Sequence, residues 1–365
     1  MQADLIAQLQ VPKSLSLFVN AILDKPDRIR RLADLCAKMK DRVDARELNQ
    51  FALNVRRLAP NDSVVVNRTA KVLNPAFSAV HFACLNDHNR NKAFEAALNN
   101  TITPESVVLD IGAGSGILSM MAARAGAKHV YAVEIEPMVV DAAREIIKLN
   151  GYEDKITVIE KDIQSVEIGK DIPERCNIAI QDIIYDHPLA HDIHKYLSYA
   201  KTHLLLEDSI IFPSSVELRA ALSGADKYIR HQDYKNIAGF DFSPMTVFEP
   251  SWANFSQDNV AEELLTDNFA MWTFDLTQPM DLGDFQNQLD VNILQSGDIH
   301  HVFRWVKIYF PDGSSYEDGF ESRMTCRAFV AYKVLDPIPV KQNQTINIRI
   351  ESIDNQIFTS VGLKS

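Results

Sequence analysis

Residues 107–137, VVLDIGAGSGILSMMAARAGAKHVYAVEIEP, decide the fold. "VVLDI" is a short apolar run ending in Asp110 and Ile111, and Gly112, Gly114 and Gly116 follow at once. A strand running directly into spaced glycines makes a turn where the backbone can touch a ligand, with a helix N-terminus behind it. The order is G-x-G-x-G, and Ile117 stands where a dinucleotide fingerprint wants its third glycine. An acidic residue just before the glycines repels a pyrophosphate and suits a cationic ligand.

Outward from this stretch, "HVYAVE", "KITVIE", "NIAIQD" and "DSIIFP" read as buried strands. Helices are predicted between them at 115–125, 137–149 and about 189–199. That alternation implies a parallel sheet with right-handed crossovers. For the helix at 137–149, Pro137 marks the start, Met138, Ala142, Ile146 and Leu149 are expected inward, and Asn150-Gly151 ends it.

The strand ends carry the chemistry. Glu134 closes the second strand, roughly twenty residues on, a spacing that suits a carboxylate accepting hydrogen bonds from both ribose hydroxyls. The third strand ends near Asp162 and Ile163, where a carboxylate or a neighbouring amide can meet the exocyclic amine of adenine. A nucleoside with a positively charged, amine-bearing tail satisfies these positions together with Asp110, and S-adenosyl-L-methionine is such a molecule. A loop serving only as a turn explains neither carboxylate placement.

Ahead of the sheet, residues 14–58 carry a 3.6-residue period that reads as three short helices, the second opened by Pro26 near its first turn. Between Lys25 and Arg57 there are ten Lys or Arg against five Asp or Glu. This is either the solvated side of amphipathic helices or a docking surface for an acidic partner or substrate tail. After Pro213 the pattern turns to half-buried strands, with Asp312-Gly313 marking a hairpin. The expected fold class is an α/β Rossmann-like sheet followed by a β-barrel or β-sandwich domain, with an extra N-terminal helical segment. The expected domains are a helical segment at 1–60, a cofactor domain at 61–213 and a β-barrel domain at 214–365.

A formal charge of -12 over 365 residues argues against broad nucleic-acid binding, which needs clustered Lys and Arg. Cys36, Cys84, Cys176 and Cys326 lie far apart and suggest a reduced, cytoplasmic chain. No apolar run is long enough to span a bilayer, so no membrane association is expected.

Several stretches extend the reading to a family. Residues 107–213 resemble the sheet of class I methyltransferases, and the chain from about residue 80 to 350 resembles the protein arginine methyltransferase family. "LNDHNRNKAF" is similar to the helix before the sheet, where an Asp-x-x-Arg pair, here Asp87 and Arg90, would set the arginine on the cofactor's carboxylate. "LDIGAGSGILSMMAARAGAKHVYAVE" resembles the cofactor loop, "SIIFPSSVEL" the entry to the β-barrel, and "VLDPIPVKQNQTI" a late barrel segment. "YKNIAGFDFSPM", residues 234–245, resembles the family's dimerisation arm, here about 222–262, and implies a homodimer.

The substrate half departs from the family. After the fourth strand the family holds two glutamates that clamp a guanidinium; here Asp182 takes the first position, and His191, nine residues on, the second. The family's Thr-His-Trp loop would align with Thr325, Cys326 and Arg327, so only the threonine remains, and "NPAFSAVHF" replaces its paired aromatics. Tyr185, Asp186, His187, Asp192 and His194 crowd the same loop. Asp182 is read as orienting the substrate and His191 as base or hydrogen-bond partner, with Tyr185 and Asp186 beside them. Asp186 or Asp192 alternatively caps a helix, and the spacing of His187, His191 and His194 also suits a metal.

These departures motivate an S-adenosylmethionine-dependent methyltransferase acting on a nitrogen, or an activated carbon or oxygen, of a small molecule or specialised peptide. The alternatives are an arginine N-methyltransferase using an aspartate clamp, and a catalytically silent cofactor-binding adaptor.

Overall fold

The computed structural model describes residues 2–76, 79–184, 192–224, 236–248, 252–254, 263–278, 286–318, 330–353 and 356–363. The chain opens on helices: α1 (Gln2–Leu9), α2 (Ser16–Leu23), α3 (Arg28–Lys38), α4 (Ala45–Leu58), α5 (Ser63–Leu73), α6 (Ala79–Asn86) and α7 (His88–Thr101). The middle of the chain alternates β1 (Val107–Ile111), α8 (Ile117–Arg124), β2 (His129–Glu134), α9 (Pro137–Leu149), β3 (Ile156–Glu160), β4 (Cys176–Gln181), α10 (Ile193–His203) and β5 (Leu205–Phe212). These strands pair in parallel, in the order β3-β2-β1-β4-β5. β1 is buried along its whole length, as a strand covered by helices on both faces must be.

Antiparallel strands follow: β6 (Ser215–Ser223), β7 (Trp252–Asn254), β8 (Phe269–Asp275), β9 (Gln286–Asn292), β10 (Gly297–Tyr309), β11 (Ser315–Glu317), β12 (Val330–Val340), β13 (Thr345–Ile353) and β14 (Gln356–Leu363). One sheet runs β7-β12-β10-β6-β8 with β11 on β10, and a second runs β14-β13-β9. The Asp312-Gly313 turn joins β10 to β11, with Gly313 at φ 85° and the Asp312 carboxylate accepting from the Ser314 N–H.

Local details correct the sequence reading. The buried face of α9 is Val139, Val140, Ala143 and Ile147 beside Met138, while Leu149 is 84% exposed. The predicted stripe was rotated because Met138 packs into the helical segment instead of the sheet. α8 starts at Ile117, since Gly116 at φ 81° takes the N-cap position. α3 starts at Arg28, because Asp27 at φ 55° separates it from Pro26. β14 was not anticipated: it pairs with β13, and its apolar residues do not alternate cleanly.

Two main cores result. One spans the parallel sheet and both antiparallel sheets; the other belongs to the N-terminal helices, with Leu32, Phe51, Ala52, Val55, Val65 and Met138 among its members. Basic residues of that segment are largely spent internally or on the sheet domain, as in Arg30–Asp62, Lys38–Asp34, Arg46–Glu160 and Arg57–Glu145.

Candidate active site

The carboxyl ends of β1 to β4 open into one cavity of about 300 Å³. This is where ligands bind in open parallel sheets, because the helices that follow the strands present their N-termini there. Arg90, Asp110, Gly112, Gly114, Glu134, Asp162, Ile163 and Asp182 all line it. Gly116 sits just behind, its αL conformation letting α8 start, and a Cβ there would press on Ile147 at 3.2 Å. At Gly112, φ is 69° and a Cβ would lie 2.6 Å from the Ile183 Cδ1, so the turn is locked against the residues that follow β4.

Glu134 ties the loop together. Its Oε2 accepts from the Gly114 N–H at 3.0 Å, and its Oε1 from the Ile135 and Glu136 N–H groups at 2.8 and 2.9 Å. A carboxylate offers about four acceptor positions, so one remains for a ribose hydroxyl without rearrangement, fewer than the two expected. Asp162 accepts from the Gln164 N–H at 2.8 Å, and Ile163 beside it is buried.

Asp110 is 1% exposed and accepts a 2.5 Å hydrogen bond from the Ser119 hydroxyl. Burial pushes its carboxyl up to about 6, against the opposing pull of the Ser119 hydrogen bond and the Arg90 charge. The fixed negative charge expected from sequence is therefore one that titrates just below neutrality.

Arg90 and Asp182 meet in the same cavity. Arg90 Nε and Nη2 both donate to Asp182 Oδ2, at 2.8 and 2.6 Å, with side chains 3% and 7% exposed. Asp182, read from sequence as orienting the substrate, is here the ion-pair partner of Arg90. Arg90 is itself set by Asp87, which N-caps α7 through the Arg90 N–H and accepts from the Tyr316 hydroxyl at 2.8 Å.

Sequence reading missed α6, whose Val80, His81 and Cys84 line the cavity while Phe82 and Leu85 face outward, 55% and 39% exposed. Their i, i+1, i+4 spacing was a helical-face signal hidden by the departure from the family's aromatics. Lys161, paired with Asp171 at 2.6 Å, and Tyr196 of α10 also line the cavity and were not picked out. Tyr185, Asp186, His187 and His191 lie outside the described residues, as do Thr325, Cys326, Arg327 and most of the 222–262 arm. Asp192 stands at the N-cap of α10 but in the αL conformation, with no side-chain cap; its carboxylate pairs with Lys195 at 2.9 Å. Among the described residues no group of three His, Cys, Asp or Glu is placed to hold a metal, and no helix is long and apolar enough to cross a membrane.

The groups lining the cavity fit S-adenosylmethionine: the Arg90 guanidinium for a carboxylate, the Asp110 carboxyl beside the glycine turn for a cation, and Glu134 with Asp162 for ribose and adenine. Ile135, Ile163 and Tyr196 supply apolar walls for a base.

Comparison with known proteins agrees with this geometry. The family "Ribosomal protein L11 methyltransferase (PrmA)" matches residues 87–210. The arginine N(omega)-methyltransferase of Streptomyces achromogenes subsp. streptozoticus is 27% identical over 88% of this chain and 92% of its own. Protein arginine N-methyltransferase 1 of Saccharomyces cerevisiae is 28% identical over 64% of this chain and 67% of its own. Among solved structures, the Trypanosoma brucei PRMT1 enzyme-prozyme heterotetrameric complex with AdoHcy superposes with a TM-score of 0.71 at 22% identity, covering 80% of this chain and 96% of that one. With the glycine loop, the carboxylates at successive strand ends and the arginine anchored from a preceding helix on one cavity, the chain is an S-adenosylmethionine-dependent methyltransferase that resembles the class I enzymes and, among them, the protein arginine methyltransferase family.

Proposed function

We propose that the acceptor is a guanidinium nitrogen of arginine, free or in a peptide. What supports this most directly is Asp182, a 7% exposed carboxylate that lines the cofactor cavity and already holds the guanidinium of Arg90 through one oxygen. A carboxylate matches the planar N–H donors of a guanidinium. The Streptomyces relative named as an arginine N(omega)-methyltransferase, similar over most of both chains, favours the same acceptor. The aspartate clamp, second in the sequence reading, thereby moves to the front.

When bound, S-adenosylmethionine supplies an electrophilic methyl on its sulfonium. Arg90 holds the carboxylate end, and the Gly112–Gly116 turn lets the backbone approach. Asp110 and Glu134 position the cation and the ribose, and Asp162 with the Ile163 amide meets the base. Asp182 orients the guanidinium so that one nitrogen lone pair points along the transfer line, a positioning effect of up to about 7–11 kcal/mol in favourable systems. His191, with Tyr185 and Asp186 near it in sequence, is the proposed acceptor of the departing proton, worth about 10²- to 10⁴-fold.

The test is methyl transfer from labelled S-adenosylmethionine to free L-arginine and to an arginine peptide, with products identified by mass spectrometry. Asp182→Asn should lower kcat/KM about 10²-fold or more, and Asp182→Glu should retain activity. No transfer to either acceptor, or transfer indifferent to Asp182→Asn, would sink the reading.

A second reading, a small molecule without a guanidinium, is favoured by the loss of both family glutamates at Asp182 and His191. Label entering a non-guanidinium product in a metabolite extract would support it. A homodimer joined through residues 222–262 and a cytoplasmic location complete the proposal.

A further inference from the structure

The N-terminal helices touch the sheet domain where the nucleoside half of the cofactor cavity is built. Arg46 of α4 binds Glu160 bidentately, Nη1 to Oε1 at 2.6 Å and Nη2 to Oε2 at 3.1 Å. Its Nη2 also lies 3.8 Å from Asp141, and Arg144 stands 3.5 Å from Asp141 and 3.7 Å from Glu160. About three turns further along α4, Arg57 reaches Glu145 at 2.8 Å. Beside this charged seam Met138, 5% exposed, inserts into the helical core.

These anchor points are not scattered over the domain. Glu160 is the last residue of β3, the edge strand of the parallel sheet, and it is the register partner of Glu134. Lys161, Asp162 and Ile163, which follow it directly, line the cavity. The Lys161 N–H donates to the Glu134 carbonyl at 3.1 Å, the last main-chain bond joining the two strand ends. Met138 follows Glu134 by four residues, in the first turn of α9. An edge strand has one pairing partner, so its end frays unless something outside the sheet holds it.

We propose that the N-terminal helical segment is a buttress for the nucleoside half of the cofactor site, with Arg46 as a positioning residue. It acts through Glu160 on the strand ends that carry Glu134 and Asp162. The buttress rests on the assignment of those two carboxylates to ribose and adenine, and it is independent of which acceptor the enzyme uses.

Calorimetric titration of the full chain with S-adenosylhomocysteine tests it without any methyl acceptor. Arg46→Glu should weaken binding about fivefold, the scale of a well-formed surface pair, and Glu160→Gln should weaken it by a smaller factor. Arg46→Lys, which keeps a positive charge beside Glu160 and Asp141, should hold affinity within about twofold of the parent. The melting temperatures of the ligand-free variants should not track these affinities. Wild-type affinity in Arg46→Glu, or a loss in Arg46→Lys as large as that in Arg46→Glu, would overturn the proposal. Glu134→Ala run alongside separates the two levels: if it binds as well as the parent, the nucleoside assignment fails, whatever Arg46 does.

Discussion

At the residue scale, Asp110 is a cavity residue whose chemistry is changed by its burial. Its folded carboxyl titrates at about 6 against an ordinary 3.8, because burial disfavours its charge. Between those values the folded chain holds more protons than the unfolded one, so this group's contribution to stability falls as pH rises through the window. Asp110→Asn should therefore raise the melting temperature of the ligand-free protein at about pH 8, by the equivalent of roughly 1–2 kcal/mol, and by less at about pH 5. The same variant should bind cofactor at least about tenfold more weakly, since the anionic form attracts a cation. In the parent, cofactor affinity should decline as pH falls below about 6. A calorimetric pH series with both proteins checks all three, and equal melting temperatures at both pH values would remove the burial argument. That Asp110 would line a cavity was legible from its place before the glycines. That its charge is costly was not, because the cost comes from what surrounds it in three dimensions.

At the element scale, α7 is the piece that joins the two halves of the molecule. It carries Arg90, and it is braced from the C-terminal sheet by Tyr316 on Asp87, by Phe94 edge-on to Phe310 at 4.9 Å, and by Asn100 on Asp312 at 2.9 Å. All three braces come from the β10–β11 hairpin and its turn. Asp87→Ala removes the N-cap and the acceptor for a buried hydroxyl, and should cost about 2–3 kcal/mol in urea unfolding. Tyr316→Phe should cost about 1 kcal/mol and also weaken cofactor binding, because α7 then holds Arg90 less firmly. A Tyr316→Phe protein with unchanged affinity would show that the hairpin supports the fold and not the site. The hairpin and the Asp-x-x-Arg helix were each visible in sequence, one from a turn dipeptide and one from resemblance. Their contact was not, since Asp87 and Tyr316 are 229 positions apart.

At the scale of the whole molecule, the proposed arm carries apolar side chains uncovered in a single chain: Phe240 is 68% exposed, Met245 50%, Phe242 43% and Ile237 36%. Clustered exposure of this kind marks an interaction surface. A dimer is expected by size-exclusion chromatography with light scattering at micromolar concentration, and Phe240→Glu should shift it toward monomer; a monomeric parent would dismiss the arm. From the chain alone one could read the parallel sheet, the antiparallel second half, the cofactor and the carboxylates at three strand ends. Those follow from short-range rules, in which apolar runs, glycine spacing and strand-end position all act within about thirty residues. The Arg90–Asp182 pair, the titrating Asp110, the α6 wall and the grip of α4 on β3 came only with the folded chain. Each depends on side chains far apart in sequence, 92 positions for Arg90 and Asp182 and 114 for Arg46 and Glu160, whose meeting is set by how helices and sheet pack and not by any local pattern.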